Sequence, residues 1–217
     1  RPFIGNRLNY MCDNHAHSKR SIRQNRYRRR TVLGGLGAIG VAALAGCSES
    51  GDTGTDGTGD VPAAITLTEG DTCEVCGMNI VNHPGPSTEI FYPDHQPSGH
   101  ENPARFDSTW EAFQYDFERS DRGWERSVMY VTDYSAVEYD LFEFRDATGI
   151  STHPEASAFA PASDVTFVAN SEVVGAMGRD LIGFGDEGDA SSFRDEYGGE
   201  LVTVDEVTPQ LIAQLGQ

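Results

Sequence analysis

The sequence predicts an α+β fold in which two similar ββαβ modules pack together, after a signal peptide and a flexible acidic linker. Two segments share one helical spacing of apolar residues, namely Trp110, Phe113 and Phe117 in the first and Ala190, Phe193 and Tyr197 in the second. Each segment follows strand-like runs and precedes another one, so the order ββαβ occurs twice. This repetition indicates two modules, which we place at residues 63–136 and 137–217.

Residues 1–46 are predicted to be an export signal and not part of the fold. Arg28–Arg30 stand before a glycine-rich apolar stretch that is too short to span a membrane as a helix. Consecutive arginines before a weak apolar region are typical of a twin-arginine signal. The run Leu44–Cys47 is similar to a lipobox, which predicts a lipidated Cys47 and an extracytoplasmic protein anchored to the outer face of the cell membrane. An ordinary export signal cut at a small residue is the alternative.

Residues 47–62 are predicted to be a disordered acidic linker, because the chain carries no apolar side chain from Ser48 to Asp60. The whole chain has a formal net charge of −18, and no lysine follows Cys47. Such an anionic protein is not expected to bind nucleic acid. Its charge suits solubility at high salt, as in a halophilic organism.

The first module is predicted from four elements. Ile80-Val81 and Glu89–Tyr92 have strand composition, and Ser127–Thr132 is the strand after the helix. Ser108 followed by Glu111 has the spacing of a capping box, which marks the start of the helix.

The second module is predicted in the same way, with a connection before it. Strands are expected at Val165–Ala169, Leu181–Phe184 and Glu200–Val204, with a further one at Tyr139–Phe144 in the connection. Asp189 is the expected N-cap of the second helix and Gly198-Gly199 its end. Thr208-Pro209 begins a last helix that runs to Leu215.

The segment with the most distinctive chemistry is Thr72–Pro86, which carries the thiols of Cys73 and Cys76, the thioether of Met78 and the imidazole of His83. Thiolate and thioether ligands favour cuprous copper over ions that prefer oxygen. Gly77 permits a sharp turn between Cys76 and Met78, so both sulfurs can face one ion. His83 is an additional candidate ligand.

Three other interpretations of the Cys73–Cys76 pair stay open. The pair has the spacing of half a zinc site, although no other cysteine follows Cys47 outside this pair and no paired histidines supply a second half. It also has the spacing of a redox dithiol, although the glycine and prolines that follow do not predict the usual helix. A structural disulfide would close a very small loop and contribute little stability.

Met177 is a candidate ligand in the second module. It stands between Gly175-Ala176 and Gly178, in a turn-like sequence and not among core residues. The alternative is an ordinary buried methionine.

Four stretches together resemble the NosL family, the accessory lipoproteins of nitrous oxide reductase. The matching stretches are Cys76–Pro86, the helix start Phe106–Phe113, Val168–Gly178 and Asp189–Gly199. The resemblance implies two ββαβ modules and a copper(I) ion bound by Cys76, Met78 and Met177, with Cys73 as either a bystander or an additional thiolate.

The resemblance also implies a function. It predicts a chaperone that delivers copper for assembly of the copper-sulfide centre of nitrous oxide reductase, with that enzyme and its maturation and transport proteins as partners. Copper transfer by ligand exchange requires no catalytic base, so we expect no enzymatic activity. We also expect a monomer. An extracytoplasmic thiol-disulfide oxidoreductase that uses Cys73 and Cys76 is the alternative.

Overall fold

A computed structural model describes residues 61–215 of the chain. The predicted signal peptide, the predicted lipidation site Cys47 and nearly all of the predicted linker therefore lie outside the described residues. Between residues 61 and 215, no helix combines the length and the apolar composition that crossing a membrane requires.

The first sheet has four antiparallel strands in the order β2 (Ala104–Phe106), β1 (Thr88–Phe91), β3 (Val128–Thr132) and β6 (Phe159–Pro161). Its first three strands and their helix follow the order ββαβ, with the first strand at the centre. The helix is α1 (Thr109–Ser120). The fourth strand, β6, comes from the connection between the modules.

The second sheet repeats this arrangement. A long central strand pairs with the next strand on one side and with the strand after the helix on the other. The bounds are β7 (Thr166–Gly175), β8 (Gly178–Phe184), α2 (Glu187–Tyr197) and β9 (Glu200–Val202), followed by α3 (Pro209–Leu215). The hairpin of β4 (Leu141–Phe144) and β5 (Ala147–Ile150) extends the sheet through a parallel pairing of β5 with β7. The α+β class is therefore confirmed. The order ββαβ occurs in β1, β2, α1 and β3 and again in β7, β8, α2 and β9, while the division into two modules stays a prediction.

Helix α1 contacts both sheets. Neighbouring residues of a strand point to opposite faces, so Phe167 of β7 and Leu181 of β8 lie in the core around α1. Val168 and Ile182 lie in a separate core that α2 covers. Phe113 of α1 stacks edge-on against Phe167, with ring centroids 5.9 Å apart. The second sheet thus has α1 on one face and α2 on the other.

Two predicted elements of the first module differ from the structure. Ile80 and Val81 belong to a short 3₁₀ helix, Ile80–Asn82, and not to a strand. No neighbouring strand pairs with them: the Ile80 amide donates to the Asp71 carbonyl, and the Ile80 carbonyl accepts from His83. The second strand of this module is Ala104–Phe106, whose three residues are too few to show a period.

In the second module, α2 begins earlier than predicted. Its N-cap is Asp186 and not Asp189, because the Asp186 carboxylate accepts from the amides of Gly188 (2.8 Å) and Asp189 (3.1 Å). Its predicted end is confirmed by Gly198, which follows the helix with a φ of 73°. The predicted division at residues 136 and 137 stays a prediction, although β6 from the later segment pairs with β3 of the earlier one.

Candidate metal site

The Cys73–Met78 loop closes on itself through the backbone. The Cys73 amide donates to the Met78 carbonyl (2.9 Å), and the Gly77 amide donates to the Cys73 carbonyl (3.0 Å). Gly77 has a φ of 71°, a conformation in which glycine is unstrained. The resulting tight turn holds Cys73 and Cys76 side by side as free thiols.

Both thiols face carboxylates at the start of α1. Cys73 Sγ lies 3.2 Å from Glu111 Oε2, and Cys76 Sγ lies 3.4 Å from Asp107 Oδ1. One ligand atom from each of these four residues lies within 4.8 Å of every other. Cys73, Asp107 and Glu111 are each at most 3% exposed, whereas Cys76 is only half-buried. The cluster therefore has a buried side and one sulfur that is accessible from outside.

This environment opposes ionisation of the unliganded thiols. Burial, together with the nearby Asp107 carboxylate, raises the pKa of Cys76 to about 11. The same two causes raise the pKa of Cys73 far above its ordinary value. Backbone amides of Val75 and Cys76 face the Cys73 sulfur and offset part of this rise in pKa. The thiols are therefore protonated at neutral pH, and a metal ion must displace their protons to bind.

The back of the loop is fixed to β2 and to the long connection between β1 and β2. The Glu74 amide donates to the Arg105 carbonyl (3.0 Å). The Glu74 side chain pairs with the His100 imidazole, and the second ring nitrogen of His100 contacts the Glu101 carbonyl (2.7 Å). These contacts help to fix the position of Cys73 and Cys76 relative to α1.

A third carboxyl group lies close to Ser108 and Asp107 at the start of α1. Asp180 of β8 is fully buried, and its Oδ1 accepts from the Trp110 amide (2.9 Å) in the first turn of α1. Burial raises the pKa of Asp180 to about 8, so at neutral pH it holds a proton. Asp180 thus attaches the second sheet to the helix start that carries Asp107 and Glu111.

The other predicted ligands are Met78, His83 and Met177. Met78 is half-buried on the same loop as the thiols. His83 Nδ1 lies 2.7 Å from the Asn79 carbonyl, and because a carbonyl only accepts, Nδ1 is the donor in this contact.

Met177 is half-buried in the two-residue turn between β7 and β8, where Gly175 pairs with Gly178. A Cβ added to Gly85 would lie 2.6 Å from the Cα of Gly175. The segment after the thiol loop therefore runs directly against the hairpin that carries Met177. The assignment of Cys73, Cys76, Met78, Met177 and His83 as metal ligands stays a prediction.

Sequence reasoning missed Asp107 and Glu111. Both were interpreted only as part of a helix start, and half of that capping box is present, since Ser108 Oγ accepts from the Glu111 amide (3.3 Å). The Glu111 side chain, however, faces Cys73. No local pattern could have shown this, because Asp107 precedes the N-cap Ser108 and the contacts of both residues come from a distant loop.

Comparison with known proteins identifies the family. The NosL family model matches residues 64–212. The chain belongs to the NosL family. Its structure is similar to the crystal structure of the copper chaperone NosL from Shewanella denitrificans, with a TM-score of 0.54 and 28% sequence identity over 68% of this chain and 96% of that chain. Among curated proteins no relative matches this chain. The resemblance to the NosL family is thus confirmed over most of the described residues.

Proposed function

We propose that this NosL-family protein is a copper chaperone that binds one cuprous ion on the Cys73–Met78 loop. The observation that carries the proposal is the side-by-side placement of two thiols on a short, backbone-closed loop. The similarity to a copper chaperone of the same family supports it. Sulfur ligands of this kind suit a monovalent soft ion.

In this proposal Cys76 and Met78 are the primary ligands, because both are half-buried and Gly77 between them permits a turn in which both sulfurs face one ion. Met177 supplies a third sulfur from the second module, and Cys73 and His83 are additional donors. Two or three ligands leave one side of the ion open. An acceptor protein then adds its own ligand there before Cys76 releases the copper, so transfer needs no catalytic base and the protein is not an enzyme.

The surroundings of the thiols weigh against the alternative, a thiol-disulfide oxidoreductase. Reactive cysteines of such enzymes have a lowered pKa, whereas burial and Asp107 raise the pKa of both Cys73 and Cys76. The thiol loop also leads into a turn and a 3₁₀ helix and does not open an α-helix. The spacing of Cys73 and Cys76 and their free thiols fit the redox function, but the pKa directions and the local backbone do not.

The delivery route is the finer part of the proposal. The copper goes to the copper-sulfide centre of nitrous oxide reductase, with the maturation and transport proteins of that enzyme as partners. The chain is a monomer held outside the cytoplasm by a lipid on Cys47, after cleavage of a twin-arginine signal. Membrane fractionation of cells that express Cys47→Ser tests the anchor: the protein is expected to leave the membrane fraction.

Copper binding is tested by titrating the reduced full chain with cuprous ion against a chromogenic chelator. Cys12→Ser and Cys47→Ser are introduced first, so that Cys73 and Cys76 are the only thiols left. In this background Cys76→Ser, Met78→Leu and Met177→Leu are each expected to weaken cuprous binding by more than about tenfold, the loss that even an outer-shell partner can cause.

Met129→Leu is the matched control, because Met129 lies in the core, 3% exposed on β3. Its cuprous affinity should equal that of the parent protein. Unchanged affinity in all three ligand variants refutes the sulfur site. Normal assembly of the copper-sulfide centre in cells that carry Cys76→Ser refutes the delivery route while leaving copper binding intact.

A further inference from the structure

The hairpin of β7 and β8, which carries Met177 in its turn, is interrupted by an irregularity. Two registers of pairing occur along it, with the pair Ala169–Leu181 before the change and the pair Val174–Arg179 after it. Residues 170–173 of β7 therefore lie opposite a single residue of β8, Asp180, and we call them the β7 bulge. Extra residues of this kind bend a strand and redirect the side chains beyond them. Met177 is in the turn directly beyond the bulge.

The β7 bulge is also the place where β7 changes its second neighbour. Before the bulge, β9 pairs with residues 167–169 in antiparallel fashion. At the end of the bulge and beyond it, β5 pairs in parallel with Val173 and Val174. The two ends of β7 are thus held by different strands. The conformation of the bulge therefore decides how the Met177 turn lies relative to the rest of the sheet.

The β7 bulge depends on Asn170 for its backbone conformation. Asn170 has a φ of 61°, in the left-handed region that asparagine tolerates better than most other residues do. The exposed Arg179 guanidinium donates to both the backbone carbonyl (3.3 Å) and the side-chain oxygen (2.7 Å) of Asn170. The fully buried Ser171 hydroxyl donates to the Val173 carbonyl (3.1 Å). These contacts fix one conformation of the bulge.

The β7 bulge is closely packed on two sides. The fully buried Asp180 carboxyl group accepts from the Trp110 amide of α1, and a Cβ added to Gly175 would lie 3.0 Å from its other oxygen. A Cβ added to Gly199, before β9, would lie 2.5 Å from the Ala169 carbonyl oxygen. Because close-packed groups cannot absorb a local change, a different backbone conformation in the bulge is expected to move the turn.

We propose that Asn170 is a positioning residue for copper binding, whose left-handed conformation directs the Met177 turn toward the Cys73–Met78 loop. Asn170 acts through the Met177 thioether and does not touch the ion. The inference rests on the proposed function in so far as Met177 is a copper ligand, whereas the placement of the turn is a property of the metal-free protein. Glycine should replace Asn170 without loss, because it adopts a positive φ freely, and alanine should not.

The placement of the turn is measured without copper, by NMR of carbon-13-labelled methionine methyl groups in the reduced full chain with Cys12→Ser and Cys47→Ser. Met177→Leu assigns the Met177 signal. Asn170→Ala is expected to shift this signal, and Asn170→Gly to leave it at the position of the parent protein. Arg145→Ala is the matched control, since Arg145 also has a positive φ, of 55°, but lies in the β4–β5 turn of the same sheet.

The Met177 signal should not shift in Arg145→Ala. Circular dichroism establishes that each variant is folded. If Asn170→Ala does not fold, Arg179→Ala takes its place, because it removes only the exposed contacts to Asn170, and the same shift is expected. A Met177 signal that stays at the position of the parent protein in the folded variant overturns the proposal. A signal that shifts as far in Asn170→Gly overturns it as well, because the left-handed conformation is then not the cause.

Cuprous affinity, measured against a chelator in the same background, tests the effect on binding. Asn170→Ala should weaken binding by about tenfold, as loss of an outer-shell partner does, and Asn170→Gly and Arg145→Ala should bind as the parent protein does. The double variant Asn170→Ala with Met177→Leu should bind no more weakly than Met177→Leu alone. A further loss in the double variant overturns the proposal, because Asn170 then acts on something other than Met177.

The two measurements also separate this inference from the proposed function. If Met177→Leu binds cuprous ion as tightly as the parent protein, Met177 is not a ligand, and that part of the proposed function fails together with the role of Asn170 in copper binding. The methyl signal still decides, in that case, whether Asn170 positions the turn. If Met177→Leu weakens binding and Asn170→Ala does not, the ligand assignment stands and the positioning role is refuted.

Discussion

The helices α1 and α2 occupy equivalent places in the two modules, but their first turns lie in different surroundings. At α1, Asp107 and Glu111 are buried beneath the Cys73–Met78 loop. At α2, the acidic side chains of Asp186 and Glu187 are exposed and the helix start meets solvent. Carboxylates stabilise a helix N-terminus in both places. The same topology thus places the first turn of its helix beneath a thiol loop in one case and in solvent in the other.

The largest expected effect is the loss of stability when a buried aromatic ring is removed from either helix. Phe113→Ala and Phe193→Ala should each lower the free energy of unfolding by about 3–5 kcal/mol, because both rings are almost fully buried. The partners differ: Phe113 stacks on Phe167 of the other module, whereas Phe193 stacks on Phe184 of its own (5.1 Å between centroids).

A double-mutant cycle measured by chemical denaturation separates the two cases. Phe113 and Phe167 should show a coupling free energy of about 0.5–1.5 kcal/mol. Phe193 and Phe167 lie in different cores and should show none. Equal coupling in both pairs contradicts the described placement of α1 between the sheets.

The next effect concerns pH and compares one buried carboxyl group from each module. Burial raises the pKa of Glu89 on β1 to about 7 and that of Asp180 on β8 to about 8. Above its ordinary pKa the unfolded chain releases each proton, while the folded chain keeps it. The free energy of unfolding therefore falls as pH rises, by up to about 1.4 kcal/mol per pH unit for each group.

The contribution of Glu89 to this fall begins near pH 4.5 and ends near pH 7, and that of Asp180 continues to about pH 8. Glu89→Gln and Asp180→Asn should each flatten the dependence within the window of the residue replaced. Denaturation curves at pH 5, 6, 7 and 8 measure this pH dependence of the free energy of unfolding. A variant that retains the full slope of the parent protein shows that its carboxyl group ionises normally in the fold.

A smaller effect is expected at Gly85, where the backbones of the two modules are in close contact. Gly85 has a φ of 116°, and a Cβ there would lie 2.6 Å from the Cα of Gly175. Gly99 also has a positive φ, of 96°, but a Cβ there would have open space. Gly85→Ala should therefore cost roughly 1–3 kcal/mol more unfolding free energy than Gly99→Ala. Thermal unfolding of both variants compares them, and equal costs mean that the backbones do not approach as closely as described.

The smallest effect concerns the two N-caps. Ser108 is fully buried and accepts from the Glu111 amide, whereas Asp186 is exposed. Loss of either cap costs about 0.5–2 kcal/mol, with Ser108→Ala at the upper end because water cannot replace its hydrogen bond. Urea denaturation of Ser108→Ala and Asp186→Ala gives the two values. A larger cost for Asp186→Ala reverses the expected order.

Sequence patterns predicted the helices best, because a helix start or end is often marked by a local signal. Ser108, Gly198 and Pro209 mark a helix start or end without any information about distant residues. The start of α2 was placed three residues late, since Asp186 and Asp189 are both good caps and only the hydrogen bonds of Asp186 distinguish them.

Sequence patterns could not predict the short strands or the full cluster. β6 is defined by its pairing with β3, which lies far away along the chain, and β5 joins the second sheet through β7. Glu111 looks like an ordinary helix residue, and its role depends on a contact with Cys73 across 38 residues. The sulfur ligands could be recognised as candidates from the sequence, because cysteine and methionine are rare in this chain.

The position of α1 between two sheets has a consequence for any attempt to divide the protein. A fragment that ends after β3 would expose the side of Phe113 that Phe167 covers, and a fragment that begins after β3 would expose Phe167 and Leu181 of the second sheet. Neither fragment is expected to fold alone as a soluble domain. We therefore expect the repeated units, however similar their topology, to fold and unfold together as one cooperative structure.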